Sequence, residues 1–236
     1  EQLFNYTIER HFPEIVGSKN KGIDFLYAVI EQQASLITSW MRVGFIHGVM
    51  NTDNVALSGE TIDYGPCAFL DNYNPLTVFS SIDHQGRYAF ANQPVISQWN
   101  LARLAETILP LININQEHAI KLAEEAINSF TELYQNKWLD MMRLKIGLST
   151  RELRDKDLIV DLLNIFEKNN ADFTNTFRSL SELSLFDKEI FLSEEFNHWQ
   201  SKWKARLKNE SKTLEEIKKV MELNNPSVIP RNHIVE

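Results

Sequence analysis

The chain has 236 residues with a formal net charge of -8, and 43% of them are hydrophobic. That is enough apolar material to bury a core, while the acidic balance argues against a nucleic-acid binder, which normally carries a basic stripe. No apolar run approaches the roughly 18 residues needed to cross a bilayer. The single cysteine, Cys67, rules out an internal disulfide and points to a reducing compartment. The location expected is cytoplasmic, or mitochondrial in a eukaryote.

In chain order, residues 21–46 are predicted to form one long amphipathic helix, because Leu26, Val29, Ile30, Leu36, Ile37, Trp40 and Val43 recur at intervals of three and four. Five of the eight glycines fall between Gly44 and Gly86, so turns concentrate there. Within that window only Asn54-Val55-Ala56-Leu57 and Glu60-Thr61-Ile62-Asp63 read as strands, a short hairpin turning at Ser58-Gly59. Pro94 opens a helix with Trp99 on its core stripe, stopping near Pro110. Helical rhythm returns over 116–139, 155–168 and 188–208, and Ser149 with Glu152 and Thr213 with Glu216 each fit a capping box. Lys202, Lys204, Arg206 and Lys208 read as a solvated helix face. The expected fold is mainly α, with 1–115 as a core and 116–236 as a helical extension. The first residue is Glu1 rather than methionine and the chain ends at Glu236, which suggests a piece of a longer protein.

The chemistry concentrates between His47 and Gly65. A loop after a buried helix presents Asp53 and Asn54, and a tight turn returns Asp63 toward them. Two carboxylates and an amide oxygen are hard ligands suited to Mg²⁺ shared with phosphate oxygens. His47 is read as a packing or loop-bracing residue, Asp83 with His84 as a hydrogen-bonded loop rather than a ligand pair, and Cys67 as a small buried side chain.

The order resembles the catalytic half of a protein kinase, where a loop starting with His supplies a metal-binding Asn and a later Asp-Phe-Gly supplies a second ligand. His47 and Asn54 fall on the kinase His and Asn, and Asp63-Tyr64-Gly65 takes the place of Asp-Phe-Gly. The kinase base, however, falls on Val49, which cannot accept a proton. The wording of the segment is more specific. His47-Gly48-Val49-Met50-Asn51-Thr52-Asp53-Asn54, Thr61-Ile62-Asp63-Tyr64-Gly65-Pro66, Asp83-His84-Gln85-Gly86-Arg87-Tyr88, Asn92-Gln93-Pro94, Trp99-Asn100-Leu101 and the later Pro230-Arg231-Asn232 resemble the selenoprotein O family.

That resemblance implies the helical C-terminal lobe of a kinase-like fold and a pseudokinase that transfers AMP from ATP to Ser, Thr or Tyr of proteins. It implies Asp53 as proton acceptor, Asn54 and Asp63 as ligands of Mg²⁺ or Mn²⁺, and Asp63 also beside the nucleotide. The glycine-rich loop and phosphate-binding lysine of an N-terminal lobe do not occur in this sequence, so the segment alone is expected to be inactive. Two other readings stay open: an inactive kinase-like scaffold, and a kinase-like phosphotransferase. No nucleic acid or membrane partner is expected.

Overall fold

The computed structural model describes residues 1–182 and 189–235. Its elements in order are α1 (Gln2–His11), α2 (Lys21–Val43), β1 (Phe45–Ile46), β2 (Ala68–Phe69), α3 (Gln93–Ile112), α4 (Gln116–Lys145), α5 (Asp155–Lys168), α6 (Phe173–Ser181), α7 (Glu189–Leu192), α8 (Glu194–Leu207), α9 (Leu214–Asn224) and α10 (Asn232–Val235). Helices dominate, and β1 and β2 make an antiparallel pair with Phe45 opposite Phe69 and Ile46 opposite Ala68.

The expected hairpin is displaced. Residues 54–57 and 60–63 form no strands: Thr52–Asn54 is a 3-10 turn, and Asp63 takes a left-handed φ of 53°. The Ala56 carbonyl, which a ladder would need, accepts from the Gln33 side chain instead at 2.7 Å. Strand pairing falls on the residues flanking this segment, two of which, Phe45 and Ile46, the apolar spacing alone places at the end of the helix.

The chain divides into two compact units. The first comprises Glu1–Thr38, Val49–Gly65 and Asn92–Lys137. Its core is the apolar stripe of α2 (Phe25, Leu26, Val29, Ile30, Ala34) with Leu101, Ala105 and Ile108 of α3 and Ala123, Ala126 and Phe130 of α4. Pro94 lies in the first turn of α3, where its missing N–H costs nothing. Pro110 does not stop that helix, which continues to Ile112. Trp99 lies outside the core, 41% exposed, with the Arg103 guanidinium over its ring at 5.4 Å.

The second unit comprises Ser39–Gly48, Pro66–Ala91 and Trp138–Glu236. Here α5 packs on α8 and α6 on α9. The indoles of Trp199 and Trp203 stack at 5.3 Å and donate to the carbonyls of Leu158 and Ile146, both at 2.8 Å, so two large side chains are buried with their polar atoms satisfied. α4 ends on a left-handed Gly147, where the Leu148 N–H reaches back to the Arg143 carbonyl at 2.8 Å.

Thr213 and Glu216 form the expected capping box at the start of α9. Ser149 and Glu152 do not. α5 begins at Asp155, and the Ser149 N–H is taken by Glu210 at 3.0 Å, sixty-one positions away. The rhythm seen over 188–208 is interrupted at Ser193, which caps α8 through its hydroxyl; residue 188 lies outside the described residues. Arg206 leaves its expected solvated face and is 8% exposed, held by Asp155 (2.8 Å) and Glu210 (2.9 Å).

Candidate active site

The segment carrying Asp53, Asn54 and Asp63 leaves a pinched neck. Within the second unit, β1 pairs with β2, and Gly48 lies so close to Pro66 that a Cβ on it would sit 2.1 Å from the Pro66 carbonyl oxygen. Gly48 also has φ +85°, so both its conformation and its surroundings demand glycine. The neck is filled by aromatic rings: Trp40 lies 5.4 Å from Phe45 and 5.3 Å from His47, and Phe45 lies 5.3 Å from Phe69. His47 is buried among these rings, as a packing residue should be.

The site residues themselves belong to the first unit. Asp53 and Asn54 share the Thr52–Asn54 turn, closed by the Asn54 N–H on the Asn51 carbonyl at 2.9 Å. Asp53 is exposed and Asn54 half-buried. The Asn54 Nδ2 donates to the Val49 carbonyl at 3.0 Å. That bond fixes the amide and turns its Oδ1, the atom a hard cation would take, away from the Val49 backbone.

Asp63 is exposed, in the left-handed region that costs most residues about 1–2 kcal/mol but that Asp and Asn tolerate best. Its Oδ1 lies over Gly65, 3.5 Å from where a Cβ would stand.

Two further residues, to which the sequence pattern alone gives no role, support this segment. Asn100 of α3, 6% exposed, donates from Nδ2 to the Met50 carbonyl at 3.0 Å, while its buried Oδ1 meets no donor. Gln33 of α2 holds the Ala56 carbonyl. The available signal was a polar residue inside an apolar helical stripe: Gln33 sits between Ile30 and Ile37, and Asn100 beside Leu101. A cavity of about 250 Å³ lined by Val29, Gln33, Thr52, Val55, Asn100 and Arg103 lies beside the Asp53 turn.

Of the remaining candidates, Asp83 is a loop brace, accepting from the backbone of Arg87 at 2.9 Å and of Tyr88 at 2.7 Å. Cys67 is half-buried, and burial pushes its thiol pKa up, the direction opposite to that of a nucleophile. Among the described residues no group of three or more His, Cys, Asp or Glu could hold a metal. Any ion here would rest on Asn54 Oδ1 and a carboxylate, completed by oxygens from a ligand. Such a sparse, all-oxygen donor set fits Mg²⁺ bound together with phosphates.

A helical body with a pinched loop bearing Asp53-Asn54, followed by Asp63-Tyr64-Gly65, fits the C-terminal lobe of a kinase-like fold. The sequence profile of the family described as Protein adenylyltransferase SelO matches residues 1–236, and the chain belongs to that family. It is 54% identical over 236 residues to the Protein nucleotidyltransferase YdiU of Clostridium perfringens strain SM101, covering all of this chain and 48% of that protein. The proteins of the same name from Nitrosococcus oceani and Pelagibacter ubique are 54% and 52% identical over the whole chain. The chain thus spans about half the length of the curated relatives it matches.

Proposed function

We propose that this chain forms the acceptor- and metal-binding part of a protein adenylyltransferase, which moves AMP from ATP to a protein Ser, Thr or Tyr hydroxyl. The observation that carries the reading is the pairing of an apolar residue at the kinase-base position, Val49, with an exposed Asp53 next to an oriented Asn54 amide. Asp53 would accept the proton of the attacking hydroxyl. Asn54 Oδ1 and the Asp63 carboxylate would hold Mg²⁺ or Mn²⁺, and Asp63 would also face the nucleotide. Bound there with ATP, the ion would neutralise the triphosphate charge.

Membership in the SelO family supports this reading over the scaffold alternative, and Val49 disfavours a phosphotransferase. The nucleotide's main grip would come from a lobe outside this chain. In the full-length protein, Asp53→Ala should lower transfer about a hundred- to ten-thousand-fold, the usual worth of general-base help, with ATP binding largely kept. Asp63→Ala should remove nucleotide binding and activity together. The check is transfer of label from ATP marked on the α- or the γ-phosphate, alongside nucleotide titration. Full activity in Asp53→Ala, or γ-label on protein, would overturn the reading.

A further inference from the structure

The Pro230-Arg231-Asn232 run near the end of the chain does structural work that neither family membership nor the proposed chemistry assigns. Within the second unit, residues 67–73 form a seam. On one side β2 pairs with β1, and the Leu70 N–H donates to the Gly44 carbonyl at 2.8 Å. On the other side the Tyr73 N–H donates to Ala171 and the Phe173 N–H to Asp71, each at 2.8 Å, with the rings of Tyr73 and Phe173 stacked at 5.7 Å. An isolated bridge pairs Asn72 with Asp172. This arrangement sets two carboxylates, Asp71 and Asp172, on the two segments that the bridge joins.

Arg231 lies between them. Its guanidinium binds Asp172 at 2.9 Å and also pairs with Asp71. Asn232 adds a donation from Nδ2 to the Cys67 carbonyl at 3.4 Å, His233 Nδ1 stands 3.8 Å from Asp71, and Ile229 is buried. Arg231 is mostly buried and its pKa is raised, chiefly by the hydrogen bond to Asp172. A planar guanidinium can serve two carboxylates at once, which an ammonium does poorly.

We infer that Arg231 is a positioning residue, clipping Asp71 to Asp172 and so fixing the Cys67–Tyr73 seam from which the Asp63-Tyr64-Gly65-Pro66 run departs. Asp63 precedes Cys67 by four positions in the chain, so the seam fixes the end of the backbone run that carries it. Without the cation, two like charges would oppose each other across the bridge and push the seam apart. The catalytic part of the inference rests on the adenylyl-transfer reading; the clip itself does not.

Two measurements separate them. In hydrogen exchange on this chain, Arg231→Ala should speed the amides of Leu70, Tyr73 and Phe173, with the helical amides of α9 unchanged. Unchanged exchange at the seam would overturn the clip, whatever the protein's activity. In the full-length protein, Arg231→Ala should lower kcat for α-label transfer about ten- to a hundred-fold, as expected when a reacting group is misplaced by about 1 Å. Affinity for a protein acceptor should change little.

The double exchange Asp71→Arg with Arg231→Asp places the cation between two carboxylates again and should recover both exchange protection and rate. Arg231→Lys should recover them only in part. A folded Arg231→Ala protein with wild-type kcat would overturn the positioning role. A wild type silent for transfer, with faster seam exchange in the variant, would sink the adenylyl-transfer reading and leave the clip standing.

Discussion

Lys145 shows how far burial can move a single side chain. It ends α4 fully buried, with Nζ donating to the Arg42 carbonyl at 2.7 Å and standing 4.1 Å from the Phe177 ring centroid. Burial first, and the charge of Arg42 second, hold its pKa well below 10.5. The neutral amine still donates to the carbonyl, so the bond survives loss of charge. The sign of the linkage follows. The unfolded chain binds a proton that the folded chain sheds, so stability rises with pH from the depressed value up to about 10.5 and levels off above it. Lys145→Met should abolish that rise, and denaturant midpoints compared at neutral and alkaline pH would show it. A wild type whose midpoint is flat across this range would contradict the account.

Among elements, the junction of α4, α5 and α8 rests on an ion network and α9 on a cap, and the two should differ in weight. Asp155 is buried, which alone would raise its pKa, but hydrogen bonds from Arg206, the Glu152 N–H and Arg143 outweigh burial and hold it low. Glu210 behaves likewise through Thr150, Ser149 and Arg206. Because both folded pKa values are depressed, their contribution is present above the ordinary carboxylate range and lost as pH falls through the lowered values. Asp155→Ala removes the carboxylate shared by two buried guanidinium groups, leaving Arg206 with Glu210 and Arg143 with Asp140, and should cost about 3 kcal/mol, the lower end for breaking one side of a buried pair. Thr213→Ala removes an exposed cap and should cost about 1 kcal/mol. Chemical denaturation of both variants would test this order, and equal losses would refute it.

Elements were legible where local pattern decides structure. The spacing of Leu26, Val29, Ile30 and Ile37 marked α2, the rhythm of 155–168 matched α5, and Thr213 with Glu216 marked the start of α9. What escaped was set by partners distant in sequence. Gln33 takes the carbonyl that would have made a strand of 54–57. Glu210 takes the N–H that would have made Ser149 a cap. Asp155 draws Arg206 out of solvent. No window of the sequence contains both members of any of these pairs.

Across the whole molecule, the described helices include none long and apolar enough to cross a membrane. The candidate site was legible as a set of residue types in order, because His47 to Gly65 is one continuous run. Its support was not. Asn100 reaches Met50 from a helix fifty positions later, and Arg231 reaches Asp71 across a hundred and sixty. In each case a side chain distant in sequence holds a backbone or carboxylate that the local pattern does not reveal.

The pinched neck has a thermal consequence. Closing a loop of roughly twenty residues carries a chain-entropy cost that grows only slowly with length, so a few contacts at its base must offset it. Here those contacts are a ladder of two residue pairs, the Gly48–Pro66 approach and a small group of rings. The long helices draw on far more buried apolar surface. Heating should therefore open the base of the loop while the helices persist, as a local excursion below global unfolding. For the full-length protein, the adenylyl transfer proposed above should disappear several degrees below the loss of helical circular dichroism, and recover on cooling from that interval. Coincident loss of both signals would show that the loop's base melts only with the body.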